Sequence, residues 1–357
     1  MTVKEIARLA GVSIGTVDRV LHGRGRVSTE TKAKIEAIIR ASGFVPNPIA
    51  RRLKRNRQYR FMVLMPHRSE DSGYWGQAYA GISGAADEIQ SYGVETICLE
   101  FSRHDRDSFS AVADKVVAES PDAVLFSPVM PEECRDFIDR LKGSVPYAFF
   151  DADLPGTFPL YAIGQDPYRG GYLAGRLVQL FSRGEGSFAV IESHSEDYHI
   201  KTRRDGFRAY ANQHGFRTTV AENSDLTNDM AACLLIETLQ REEPDLAGIF
   251  VTNSSSHRVA SAVRSLRRRK GFVVVGYDLV PENERLLRRG EMDAIISQRP
   301  ETQGYRALSD LYRSIVLGRP IARHVEVPID LFLKENLPST AESSATGLRV
   351  DDSREGL

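Results

Sequence analysis

From Arg60 onward the chain alternates short apolar runs with helical patterns, and this alternation restricts the fold more than any other feature. The runs "RFMVLMP", "VETICLEF", "AVLFSP" and "YAFFDAD" read as strands. They are separated by the amphipathic stretches "AYAGISGAADEIQSYG", "SFSAVADKVVAES" and "EECRDFIDRLKG". A second series opens at "GGYLAGRLVQLF" and carries the strands "GSFAVIES", "TTVAEN", "LAGIFVTN" and "FVVVGYD". Strand and helix in strict alternation make a parallel sheet covered on both faces, and two such series predict two similar α/β lobes. Ligands in doubly wound sheets bind beyond the carboxyl ends of the strands. The loops at 66–75, 127–131, 151–155, 193–203, 252–257 and 277–281 are therefore expected to converge on one cleft.

The first 60 residues have a different texture. They hold 14 Lys/Arg against four Asp/Glu, although the whole chain of 357 residues is almost neutral, with 47 Lys/Arg and 48 Asp/Glu. A basic segment ahead of an acidic remainder suits a polyanionic partner. In "VKEIARLAGVSIGTVDRVLH" the residues Val3, Ile6, Ala7 and Ala10 share one helical face, and Ile14, Val17, Val20 and Leu21 share another. Between them Gly11 is suited to the positive φ of a tight turn, and Ser13 to capping the second helix. Ser28 is placed to cap a third helix to about Ala41, ended by Gly43. Three short helices around a few aliphatics predict a helix-turn-helix. In "GFVPNPIARRLKR", Asn47 and Pro48 begin a short basic helix to about Arg55. Its Ile49 and Leu53 can pack on a copy of themselves or wedge into a minor groove, or the stretch can be a solvated linker.

These segments, "VKEIARLAGVSIGTVDRVL", "VSTETKAKIEAIIRASGFVPN" and "PIARRL", resemble in order and spacing the headpiece and hinge helix of the lactose-repressor (LacI/GalR) family of bacterial transcription regulators. The resemblance implies DNA contacts from Ser13, Ile14, Gly15, Thr16, Asp18, Arg19 and His22 in the headpiece. In the hinge it implies contacts from Asn47, Ala50, Arg51 and Leu53, with Leu53 entering the minor groove. One departure stands out: the family usually carries "TVSRVL" where this chain has "TVDRVL", placing the Asp18 carboxylate where phosphate repels it. Two roles are open to Asp18, accepting from a cytosine amino group or pairing with Arg19.

Residues 60–336 resemble the periplasmic sugar-binding-protein fold that this family uses to bind its effector. The likeness carries over Tyr74 and Trp75, after the first strand, as stacking faces for a sugar ring. It carries over Arg203, Asn253, Asp278 and Gln298 as polar contacts, beside Asp151 and Asp153 at a first-lobe strand end. The alternatives are that the two rings are core residues and that the polar groups merely cap strands. His194 and His199 read as hinge-side or ligand contacts rather than a metal pair, Arg204 as a surface or partner charge, and "RSLRRRK" as a solvated helix end.

The expected organisation is an N-terminal all-α helix-turn-helix headpiece over 1–46, a hinge helix and linker over 47–59, a two-lobed doubly wound parallel-sheet effector domain over 60–336, and a disordered tail over 337–357. That tail lacks apolar heptads, which favours a dimer over a tetramer. Cys98, Cys134 and Cys233 are spaced neither as metal ligands nor as a disulfide framework and read as buried free thiols. No apolar run reaches signal-peptide or membrane-span length, so a cytoplasmic protein is expected. No cofactor and no metal are expected. An enzyme would need an acid/base or nucleophile constellation, and no motif ties the cleft carboxylates to one. The reading is a DNA-binding repressor of sugar-utilisation genes. It binds a palindromic operator as a homodimer and is controlled by a small neutral sugar or, alternatively, by a nucleobase, polyol or sugar phosphate.

Overall fold

The computed structural model describes residues 2–21, 25, 27–42, 57–183, 186–222, 226–266 and 272–338. They fall into two compact units that divide between Gln58 and Tyr59.

The first unit is three helices, α1 (Val3–Ala10), α2 (Ile14–Leu21) and α3 (Thr29–Ser42). Thr2 and Glu5 form a capping box at the start of α1, and Gly11 ends it in the left-handed region at φ 70°. The hydroxyls of Ser13 and Ser28 accept from the backbone N–H groups of Thr16 and Thr31, each at 3.2 Å, and so begin α2 and α3. Ile6, Ala7, Ala10, Val17 and Ile35 form the small core. Ile14 is the exception to the predicted apolar face: it is 42% exposed, on the outer side of α2 with Asp18. A helix turns 100° per residue, so residues 14 and 18 share a face that excludes residue 17.

The second unit holds two six-stranded sheets, ordered β11-β5-β4-β3-β1-β2 and β12-β10-β9-β8-β6-β7. The first lobe is built from β1 (Tyr59–Pro66), α4 (Tyr74–Gln90), β2 (Val94–Phe101), α5 (Arg106–Glu119), β3 (Ala123–Phe126), α6 (Pro131–Arg140), β4 (Tyr147–Asp151) and β5 (Ala162–Gly164). The second comprises α7 (Pro167–Ser182), β6 (Ser187–Ile191), α8 (Tyr198–His214), β7 (Thr218–Ala221), α9 (Asp229–Glu242), β8 (Leu246–Val251), α10 (Ser256–Ser265), β9 (Val273–Tyr277), α11 (Pro281–Arg288) and β10 (Ala294–Ser297). The chain then returns to the first lobe as α12 (Pro300–Ile315) and β11 (His324–Glu326), and ends in the second sheet as β12 (Asp330–Phe332). All pairings are parallel except β10 with β12, which are antiparallel.

Three segments thus connect the lobes, after β5, β10 and β11. The return of α12 is held by close backbone contact: a Cβ on Gly81 of α4 would lie 1.9 Å from the carbonyl oxygen of Glu301, and one on Gly304 would lie 2.2 Å from that of Ala78. Phe126 centres the first core, with Phe149 edge-on at 4.9 Å between ring centroids and Phe137 at 5.4 Å. The second sheet packs a separate apolar cluster on each face. Of the cysteines, Cys134 is buried, whereas Cys98 and Cys233 are half-buried and all three are free thiols. Among the described residues no helix is long and apolar enough to cross a membrane. The expected tail beyond residue 338, the hinge helix and most of "RSLRRRK" lie outside the described residues.

Candidate ligand-binding site and DNA-reading face

The carboxyl ends of the strands in the two lobes face each other across a small cavity. It is lined by Asp71, Tyr74, Trp75, Arg103 and Asp151 from the first lobe and by His194, His199, Ile200, Arg203, Asn253, Ser254, Asp278 and Gln298 from the second. It encloses about 20 Å³, space for about one water molecule, so a larger ligand enters only as the lobes part. Seven of the eight predicted effector residues meet here. Asp153 does not. Asp151 takes φ 72°, which turns the chain away, and Asp153 then accepts from Leu154 N at 2.8 Å and faces His324 at 3.5 Å, at the start of β11 beside the segments that join the lobes.

Tyr74 and Trp75 sit in the first turn of α4, where a loop was expected. The turn before it holds Asp71, Ser72 and Gly73 at φ 50°, 58° and 85°. Trp75 is 1% exposed and packs edge-on to Phe150, while its indole N–H donates to Asp71 at 2.7 Å. It is therefore a core residue and a cavity wall at once. The Tyr74 hydroxyl donates to Asp151 Oδ1, and Ser127 approaches the other oxygen at 3.4 Å.

Arg203 is the buried cation of the second lobe. Its guanidinium lies 3.7 Å from the centre of the Tyr277 ring and donates to the Thr252 carbonyl and to Gln298 Oε1, both at 2.9 Å. Gln298 in turn donates to Asp278 at 3.0 Å. The backbone at Arg203 is pressed against α7, where a Cβ on Gly171 would come within 1.8 Å of the Arg203 carbonyl oxygen. Among the described residues its Nε is buried with no hydrogen-bond partner. Asn253 donates to Ser193 at 2.7 Å. Asp151, which ends β4, and His194 and Asp278, in the loops after β6 and β9, all adopt positive φ, strain of a kind that concentrates at ligand sites.

Arg103 lay outside the predicted set, as did Asp71. Arg103 follows β2 and pairs with Asp71 of its own lobe and with Asp197 at the start of α8 in the other lobe. Asp71 also accepts at its backbone carbonyl from the Ser254 hydroxyl at 2.7 Å, a second bond across the cleft. The strand-end rule that found the other loops applies to residues 102–105 as well. Arg204, expected at the surface, is 12% exposed and paired with Glu192 and Glu222.

Burial dominates the electrostatics. It pushes the Asp278 carboxyl up to about 7 against the pull of Arg203, and Asp197 also to about 7 against Arg103. Asp151 is raised for the same reason. Burial and then Arg103 hold His194 down at about 3, and His199 lies well below the usual range, so both imidazoles are neutral at pH 7. The cavity thus sets two guanidinium ions among three carboxyl groups, Asp71, Asp151 and Asp278, and burial favours the neutral form of the last two. Among the described residues no cluster of His, Cys, Asp and Glu could hold a metal ion.

In the first unit, Ser13, Ile14, Gly15, Asp18 and Arg19 are exposed along one side of α2, with Thr16 partly so. His22, Asn47, Ala50, Arg51 and Leu53 lie outside the described residues.

A two-lobed binding protein carrying a helix-turn-helix in the same chain is the class that these features define. The model of the periplasmic binding protein domain matches residues 62–319, and that of bacterial regulatory proteins, lacI family, matches residues 2–47. The HTH-type transcriptional regulator RafR of Escherichia coli is 24% identical over 326 residues, covering 89% of this chain and 93% of that one. A protein from Bacteroides fragilis assigned as a LacI transcriptional regulator superposes with a TM-score of 0.71 at 26% identity, covering 78% of this chain and 98% of that chain. GanP, a glucose-galactose binding protein from Geobacillus stearothermophilus, shares the fold with a TM-score of 0.71 at 24% identity, over 79% of this chain and 100% of that chain. Over residues 62–319 the chain belongs to the periplasmic binding protein domain family, and its first unit carries the domain of bacterial regulatory proteins of the lacI family. It is a DNA-binding transcription regulator and not an enzyme.

Proposed function

We propose that the protein is a cytoplasmic, homodimeric repressor of sugar-utilisation genes whose hold on a palindromic operator is set by a small neutral sugar in the cleft. The observation that carries the ligand class is the cavity's polar set. Asp151, Asp278, Gln298 and Asn253 supply acceptors and donors for ring hydroxyls, and Trp75 supplies an apolar wall. The exposed residues of α2 are the base-reading face, with Ile14, Thr16 and Arg19 in the major groove and Ser13, Gly15 and Asp18 against the adjoining backbone and bases. His22 adds a contact beyond them. Two such faces related by dimer symmetry read two half-sites, while the hinge segments, through Asn47, Ala50, Arg51 and Leu53, meet the minor groove between them. Parting or closing the lobes changes the separation of the two hinges, and a short helix is marginal enough for that to order or melt it.

The test is fluorescence of Trp75, the chain's single tryptophan, during titration of the full-length protein with neutral sugars, polyols, sugar phosphates and nucleobases, alongside operator binding with and without the responding compound. A saturable response to neutral sugars, lost in Asp278→Ala, with altered DNA affinity, supports the reading. A response confined to phosphates or nucleobases replaces the ligand class. Sedimentation equilibrium of the same protein checks the dimer.

A further inference from the structure

The three segments that join the lobes are tied to one another at a buried amide. Gln165 lies in the first of them, between β5 and α7, and is 7% exposed. Its Nε2 donates at 2.9 Å to the carbonyl of Ser297, where β10 gives way to the second segment, and at 3.4 Å to that of Pro328 in the third. Its Oε1 accepts from the hydroxyl of Tyr277. Carbonyl oxygens only accept, so the amino end of the amide must face the two carbonyls and its oxygen must face the phenol. The backbone adds a bond from Val327 N in the third segment to the Gly164 carbonyl at the end of β5, at 2.9 Å.

Tyr277 stands between this clasp and the cleft. Its side chain is fully buried, and the Arg203 guanidinium lies 3.7 Å from the centre of its ring. One side chain thus meets the buried cation with its face and the hinge with its hydroxyl. Arg203 lines the inner cavity, whereas neither Tyr277 nor Gln165 does. The neighbouring helix leaves room for the bond: a Cβ on Gly170 of α7 would lie 2.3 Å from the Tyr277 hydroxyl oxygen and 3.4 Å from Gln165 Oε1. A side chain there would drive the phenol off the amide. Arg203 also reaches the second segment directly, through Gln298 at 2.9 Å, but the Gln165 amide holds all three.

We propose that Tyr277 and Gln165 are positioning residues that carry the state of Arg203 into the hinge. A ligand that draws the guanidinium toward the cavity takes it across the ring, the hydroxyl at the ring's far edge shifts, and the amide that ties the crossing segments shifts with it. This rests on reading Arg203 as an effector contact and adds the path by which that contact reaches the angle between the lobes. It applies to any ligand that engages Arg203, whatever its class. Coupling is a free energy shared by two sites, so the test reads that energy rather than a contact.

The experiment needs no ligand, which separates its failure from failure of the sugar reading. Amide hydrogen exchange at residue resolution is measured on the full chain in the native sequence, in Arg203→Lys, Tyr277→Phe and Gly170→Ala, and in the two doubles that add Arg203→Lys to each of the others. Arg203→Lys takes the planar cation off the ring. It should speed exchange of the Val327 amide at least about fivefold, while the Val124 amide, bonded to the Pro146 carbonyl within the first sheet, changes less than about twofold. In the Tyr277→Phe and Gly170→Ala backgrounds the same substitution should change Val327 by less than about twofold, because the path is already cut. A Val327 amide unmoved by Arg203→Lys, or equal speeding at Val124, would overturn the proposal. So would a full response that survives in either background, since it would run through Gln298 and leave Tyr277 a purely structural part.

Discussion

Arg103 donates to Asp197 across the cleft, joining the loop after β2 in the first lobe to the start of α8 in the second. The same guanidinium is held by Asp71, so one cation is shared by two carboxylates, all three nearly buried. A buried pair contributes little over apolar packing, yet removing one member strands the others.

Arg103→Ala therefore leaves two buried carboxylates without their cation. The unfolding free energy of the second unit should fall by about 3 kcal/mol at pH 7, read from urea denaturation. Small-angle scattering should show a more open pair of lobes, since an ion pair that bridged them is gone. An unchanged scattering profile with unchanged stability would mean that Arg103 does not hold the cleft.

The raised carboxyls fix the sign of the pH dependence. Asp278 titrates near 7 in the fold against an ordinary 3.8, so between those values the folded protein keeps a proton that the unfolded chain has lost. Its contribution to stability is complete below the lower value and disappears as pH rises through about 7. Urea midpoints should decline from about pH 4 to about pH 7 on this account, and Asp278→Asn should flatten that decline by about 1.4 kcal/mol for each pH unit spanned. Asp197 keeps a residual slope of the same sign in the variant.

Arg203→Lys preserves the charge and removes the plane. The guanidinium's stack on Tyr277 and its two directed bonds to Thr252 and Gln298 have no counterpart in a single ammonium. Ligand affinity measured by calorimetry should fall at least about tenfold. Equal affinity in the variant would show that Arg203 only shapes the lobe.

On the DNA side, Asp18 stands exposed on α2 beside Arg19. If its carboxylate faces phosphate, Asp18→Ser strengthens operator binding by roughly fivefold at 0.1 M salt, and the gain shrinks as salt rises. A loss of binding restricted to one operator position would assign Asp18 to base reading instead, measured with single-base operator variants.

The sequence displays its long, periodic elements plainly. The three headpiece helices with their Ser13 and Ser28 caps, and the runs such as "RFMVLMP" and "FVVVGYD", are legible because apolar periodicity and cap chemistry are local signals. The three-residue strands β5, β11 and β12 are not, since so short a run has no period to read. The return of α12 to the first lobe is equally hidden, because it depends on the meeting of Gly81 with Gly304, 223 positions apart in the chain. In the cleft, residues at the ends of recognised strands were found and Asp153 was misplaced by the positive φ of Asp151 just before it. Ile14 shows a converse limit: an apolar residue on an apolar stripe can still be the one turned outward.

The first lobe's sheet is completed at its edge by β11, residues 324–326, and its helical cover by α12. On the ribosome, residues through Glu326 must therefore emerge before that lobe can close its edge, whereas the three capped helices are complete by Ser42. Synthesis thus delivers the reader long before the sensor. A message cut short before the codon for residue 324 would leave the three-helix unit entire and the first lobe's sheet without its edge strand.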